Sequence, residues 1–208
     1  MRDFLEHRAR GALDTVLATE GVPQAGLSCA QCDEGKPEWY RCSDCWMPPT
    51  LCRTCLLKTH KHNPFHFVQH WDPLRKFWRR EPLSRMGVTV HLGHEGRRCP
   101  FASTTARTFT IVSENGIHTV KMLFCQCRDP ATGARCPEAT QLLRMGLWPA
   151  SWESPESAFE IKTLKAFSLL ANEGHVSAYD YFESLRKKTD FIRPGTVQVR
   201  VESAHSSQ

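Results

Sequence analysis

Apolar positions change period along the chain, and each change marks a different kind of element. Over residues 4–17, Leu5, Ala9, Leu13, Val16 and Leu17 recur at helical spacing, which predicts a helix ended by Gly21 and Pro23. Residues 27–71 hold six cysteines and four histidines and leave little room for regular structure. Between Pro73 and Pro82 the chain is short and basic, with space for about two helical turns at most. From Val88 the period drops to two. Val88, Val90 and Leu92 alternate, as do Phe109 and Ile111, then Val120, Met122 and Phe124. Ser113-Glu114-Asn115-Gly116 between the last two runs predicts a hairpin, because Asn-Gly tolerates positive φ.

After Pro137 the spacing is helical again. Leu142 and Leu143 predict a short helix closed by Gly146 and Pro149. Ser154-Pro155-Glu156 reads as cap, first-turn proline and acidic first turn of a helix carrying Phe159, Leu164, Phe167 and Leu170, stopped by Gly174. A capping box from Ser177 to Asp180 opens a last helix, with Phe182 and Leu185 inward and Arg186-Lys187-Lys188 at the negative end of its dipole. The expected organisation is an N-terminal helix (1–25), a two-metal module with a basic strip (26–82), a β-rich region (83–136), a helical region (137–193) and a disordered polar tail (194–208). That is an α+β class.

Composition adds that the core needs help. Hydrophobic residues make up 40% of 208, but that figure counts ten cysteines. The charged start and the lack of any apolar run near the ~18 residues of a membrane span exclude a membrane protein and predict a reducing, intracellular setting. Cysteines there hold metal more often than they pair.

The cysteines fall into Cys29-x2-Cys32, Cys42-x2-Cys45 and Cys52-x2-Cys55, followed by His60 and His66. Each knuckle offers two donors from one turn, so eight ligands suit two tetrahedral zinc ions. In a cross-brace, Cys29, Cys32, Cys52 and Cys55 hold one ion, while Cys42, Cys45, His60 and His66 hold the other; pairing neighbouring knuckles in sequence is the alternative. His62 is the nearest substitute ligand, and His70 reads as a surface or supporting residue. Downstream, His94, Cys99 and the Cys125-x-Cys127 pair predict a third zinc, since both thiols of Cys-x-Cys leave one face of a strand. Cys136 is a lone thiol or a replacement ligand.

Catalytic motifs fail on inspection. His94-Glu95 begins a zinc-protease pattern, but position 98 is arginine, and no deaminase signature, phosphate loop or nucleophile elbow occurs. With four protein donors per site, no coordination position is left for substrate. A non-enzyme with no small-molecule substrate is expected.

The net charge of +5 is unevenly spread: residues 1–52 carry −3 and residues 53–98 carry +7. Arg75, Lys76, Arg79 and Arg80, interleaved with Trp71, Phe77 and Trp78, form a candidate nucleic-acid strip. On a helix, Arg75 and Arg79 would share one face, as would Lys76 and Arg80. Asp33, Glu34, Glu38 and Asp44 near the first knuckles would suit a basic peptide instead, as in ZZ and B-box fingers.

The runs CAQC, YRCSDC, LCRTC, HKHNPFHFVQHW, GVTVHLGHEGRRCP, NGIHTVKMLFCQC, QLLRMGLWPAS, SAFEIKTLKAF and SAYDYFESLRKKTD, in this order over roughly residues 3–191, resemble the second CxC-type cysteine cluster associated with KDZ (Kyakuja-Dileera-Zisupton) transposases. The resemblance implies zinc chelation at the twelve ligands named above, attachment to a transposase, and a DNA or chromatin contact in the nucleus. Family members commonly continue into an RNase H-like catalytic core, for which this chain leaves no room after Asp190. A transposase or a histone peptide is the further partner expected.

Overall fold

The computed structural model describes residues 4–21, 28–33 and 38–197, so the expectations for Pro23, Glu34 and the tail from 198 onward lie outside the described residues. The chain forms two compact units, Met1–His62 with His66–Glu81, and Asn63–Phe65 with Pro82–Gln208.

In the first unit a π-helical turn at Phe4–Arg8 runs into α1 (Ala9–Thr19). Its apolar side is present but uncovered, since Leu5, Leu13, Val16 and Leu17 are all exposed. The end of α1 is held by Arg41, which donates to the Thr19 carbonyl at 2.8 Å and pairs with Glu20. The cysteine-rich stretch is more regular than expected. It contains β1 (Tyr40–Cys42), α2 (Arg53–Thr59) and β2 (Val68–Asp72), and β3 (Phe77–Glu81) completes an antiparallel sheet in the order β1-β2-β3.

The basic strip is thus a hairpin and not a helix. The Asp72 carboxylate accepts the backbone N–H groups of Leu74 and Arg75 at 3.1 and 3.0 Å, and Lys76, at φ 55°, turns the chain back. Those bonds, led by the Arg75 N–H and aided by its guanidinium against a smaller desolvation effect, hold the Asp72 carboxyl below its usual range. The return strand sets Trp78 opposite the buried Trp71, ring centroids 5.3 Å apart, with Arg41 over the Trp78 face at 4.5 Å. A helix would forfeit this stacking.

The second unit carries β4 (Thr89–His91), β5 (Arg107–Ser113), β6 (Gly116–Leu123), α3 (Glu138–Arg144), β7 (Leu147–Pro149), β8 (Ser157–Glu160), α4 (Ile161–Gly174) and α5 (Ala178–Thr189). The sheet order is β4-β6-β5-β8-β7; β4/β6 and β5/β8 are parallel, the other pairs antiparallel. The β5–β6 hairpin closes at Ser113↔Gly116, and Gly116, not Asn115, takes the positive φ. One sheet face buries Leu92, Phe109, Ile111, Val120, Met122 and Phe124 with Leu142 of α3; the other packs Val112 and Ile117 against Tyr181 and Leu185 of α5. Ser177 caps α5 by accepting the Asp180 N–H at 3.1 Å.

Two sequence expectations are corrected here. The segment from Ser154 does not start a helix: Pro155 is buried in an irregular bend, and Ser157–Glu160 form β8, because Ala158 pairs with Ile111 on one side and Phe159 with Trp148 on the other. The helix begins only at Ile161. Gly146, at φ 75°, ends α3 as expected, but residues 147–149 then form β7, where Pro149 is tolerated because the strand is an edge.

Position in this fold, not apolarity, should set the cost of truncation. Phe109→Ala should lower stability by about 3–5 kcal/mol, as a fall in urea midpoint at constant m. Leu13→Ala on the uncovered side of α1 should stay within about 0.5 kcal/mol.

Candidate metal centres

Among the described residues, three tetrads bring four Cys or His donors within 4.8 Å of one another: Cys29, Cys32, Cys52 and Cys55; Cys42, Cys45, His60 and His66; and His94, Cys99, Cys125 and Cys127. In the first unit the knuckles alternate, first with third and second with the histidines.

The first tetrad is assembled by a turn and a helix start. The Asp33 N–H bonds the Cys29 carbonyl at 2.8 Å, closing the turn that presents Cys29 and Cys32. Cys52 is the residue before α2 and Cys55 lies in its first turn. Tyr40 and Leu51 exchange backbone bonds of 2.9 and 2.8 Å, which sets this start beside β1. The Cys52 N–H then reaches Cys29 Sγ at 3.3 Å.

The second tetrad uses the other end of the same helix. His60 follows α2 directly, and its Nδ1 faces the Leu56 carbonyl at 2.9 Å, so the proton sits on Nδ1 and Nε2 is left to bind. Cys42 ends β1 opposite Val68, placing His66, two residues before Val68, within reach. The Ser43 N–H donates to the Phe67 carbonyl at 2.9 Å, and Asp44 accepts the Phe67 N–H, pinning the Cys42–Cys45 turn.

In the third tetrad Cys125 and Cys127 follow β6, and His94 and Cys99 follow β4. Gly93, at φ 77°, carries no Cβ where one would lie 3.0 Å from the Cys125 Cβ. Backbone N–H groups of Phe101 and Cys127 point at the sulfurs of Cys99 and Cys125, both at 3.4 Å.

The spacings suit a four-coordinate ion. Tetrahedral zinc with Zn–S of about 2.3 Å and Zn–N of about 2.0–2.1 Å implies donor separations of about 3.8 Å for S···S and about 3.5 Å for S···N. The S···S distances are 3.9 Å for Cys32–Cys52 and 3.6 Å for Cys99–Cys127, far beyond a disulfide. The S···N distances are 3.4 and 3.5 Å from Cys42 and Cys45 to His66 Nδ1, 3.5 Å from Cys45 to His60 Nε2, and 3.3 and 3.4 Å from Cys125 and Cys127 to His94 Nε2.

Residues 83–193, just over half of the chain, match the family described as a CxC2 like cysteine cluster associated with KDZ transposases. The chain belongs to the CxC2 family. The CxC2 match takes in the third tetrad, α3, α4 and most of the second unit, while both tetrads of the first unit precede it. No curated protein and no solved structure matches the chain.

The other candidates fall outside the tetrads. His62 is exposed, His70 stacks on Tyr40 at 4.8 Å, and Cys136 lies 3.8 Å from the Pro137 carbonyl. Of the acidic rim, Asp44 and Glu38 are engaged, Glu38 by the Tyr40 hydroxyl at 3.0 Å. Arg75 and Arg79 pair with Asp72 and Glu81 at 3.2 and 3.8 Å, yet their side chains stay 70% and 53% exposed. Lys76 occupies the turn, and Arg80 lies over the Phe67 ring at 4.1 Å.

Crowded thiols resist collective ionisation. Burial opposes ionisation of Cys29, but the N–H groups of Cys52, Gln31 and Cys32 outweigh it and bring the thiol down to about 6. Its neighbour Cys55 is then pushed up to about 12, by burial and by hydrogen bonding to the other thiols. Burial also raises Cys42 to about 12. In the CxC2 tetrad, Cys99 falls to about 6 because N–H donors from Gln126 and Phe101 overcome burial, and Cys127, bonded to Cys99, rises to about 11. A cation among the four donors removes this conflict.

Protein purified without chelator should carry close to three divalent ions per chain by elemental analysis, and Cys127→Ser should reduce the count to two. The ions should leave as pH falls, because returning protons displace the metal from sulfur. Gly93→Ala removes no donor but should also lose the third ion, visible in the same measurement.

Proposed function

We propose that this CxC2 chain is a non-catalytic zinc module that holds DNA or chromatin for a KDZ-type transposase in the nucleus. Zinc fits the donor sets, which are four cysteines, two cysteines with two histidines, and three cysteines with one histidine; all three are typical of closed structural sites. All four donors of each tetrad come from the protein, so bound zinc would shape the fold and activate no water.

The observation that carries the DNA reading is the β2–β3 hairpin. Its sheet begins at β1, whose last residue is the metal donor Cys42, so metal binding would fix the direction in which the hairpin points. Arg75, Lys76 and Arg79 lie at its turn and on its outer strand, within the segment of net charge +7. Phosphates would replace the carboxylates of Asp72 and Glu81 as partners. Trp71 is buried, and Trp78, half-buried, packs edge-on against it beneath Arg41, so neither ring offers an open face for stacking on bases. Binding should therefore be sequence-tolerant.

In a mobility-shift titration, three phosphate contacts should give a slope of log affinity against log salt of about −3, from about −0.9 per contact. Replacing Arg75, Lys76, Arg79 and Arg80 with Gln should flatten the slope and weaken all DNA sequences alike at unchanged zinc content. No DNA binding at low salt, beside capture of the chain by a histone peptide, would replace this reading with peptide recognition. The chain should not nick DNA in Mg²⁺ or Mn²⁺.

A further inference from the structure

We infer that Gln141 is the positioning residue of the third metal centre, holding the donor Cys125 by its backbone. This rests on the reading that the His94, Cys99, Cys125 and Cys127 tetrad binds metal.

Cys125 lies just past the end of β6, where strand pairing stops. The last sheet bond there is the Leu92 N–H to the Leu123 carbonyl at 2.9 Å. One residue further Phe124 enters the core, and the Cys125 backbone has no strand beside it. Gln141 takes that place. Its Oε1 accepts the Cys125 N–H at 2.8 Å, and its Nε2 donates to the Cys125 carbonyl at 3.0 Å. The second Nε2 hydrogen goes to the Cys136 carbonyl at 2.9 Å. The orientation is unambiguous, since a flipped amide would set oxygen against two carbonyls.

A buried polar residue in the middle of a helix needs such an account. Gln141 is only 4% exposed and is flanked on α3 by the core residue Leu142. An apolar side chain there would serve packing equally well. It would leave one N–H and two carbonyls unpaired, and all three belong to cysteines. α3 is itself fastened to β5 by the Arg107–Glu138 pair at 2.7 Å. The Cys125 sulfur, 3.3 Å from His94 Nε2, is thus tied to the sheet through a helix as well as through its own chain. Such outer contacts fix the direction of a donor and commonly set affinity within about 10–100-fold.

The full chain loaded with the NMR-active isotope of cadmium distinguishes the centres, because the three donor sets differ in their number of sulfurs and resonate separately. The third centre gives the three-thiolate signal. Gln141→Met keeps the volume and removes the hydrogen bonds. Gln141→Glu keeps the acceptor for the Cys125 N–H and, when ionised, removes both donors. Either should shift or broaden the three-thiolate signal alone. Either should also speed release of that ion to a chelator by about 10–100-fold, with the other two unchanged. Leu142→Ala, next to Gln141 but facing the core, should lower the unfolding midpoint and leave the three-thiolate signal in place. An unmoved signal in both Gln141 variants would overturn the inference, as would an equal effect of Leu142→Ala. Absence of a three-thiolate signal from the unsubstituted chain would overturn the metal reading beneath it, and the inference with it.

Discussion

Four sulfur or nitrogen donors within one small volume cannot all be deprotonated unless a cation joins them, and the first unit is built around that constraint. Its sheet is three short strands, and among the described residues its buried apolar side chains are few: Tyr40, Leu51, Leu56, Val68 and Trp71 stand beside four buried cysteines and His60. Much of what is interior here is donor. A metal ion held by these donors would couple its binding to the folding of this unit, in the sense that holds for small zinc domains generally. α2 would make the coupling tight. It carries Cys55 in its first turn and is preceded by Cys52 and followed by His60, so both tetrads share one rigid element.

The second unit solves its stability differently. A five-stranded sheet covered on both faces supplies a core of its own, with Phe109, Ile111 and Met122 on one side and Val112, Tyr181 and Leu185 on the other. Its tetrad sits where β4 and β6 run out, and each donor needs something beyond a strand to aim it. Gly93 clears space beside Cys125, N–H groups face the sulfurs of Cys99 and Cys125, and Gln141 holds the Cys125 backbone. A metal ion there would join the ends of β4 and β6 to an already packed sheet. In both units the sulfur charge is offset by backbone dipoles before any cation arrives, which is why Cys29 and Cys99 ionise more readily than their neighbours.

What the sequence determines by itself is local. A Cys-x2-Cys turn brings two donors together within its own four residues, and Cys-x-Cys keeps two within three, so donors announce themselves by spacing. Alternation over Phe109–Ile111 and Val120–Phe124 around Asn115-Gly116 names a hairpin, and Ser177 names a helix start, because those signals depend on adjacent residues alone. Membership of the CxC2 family rests on residues 83–193, which follow the knuckles. The partners of each element are another matter. Which knuckles could share an ion depends on β1 pairing with β2. Residues 77–81 become a strand because Asp72 folds a turn and Trp71 waits opposite Trp78. Residues 157–160 become a strand because β5 and β7 flank them, overriding a helix signal at Ser154-Pro155-Glu156. Gln141 looks like any surface glutamine until α3 lies beside the end of β6. Pairing and burial join residues far apart in the chain, and a short run equally able to be helix or strand is settled only by what it meets.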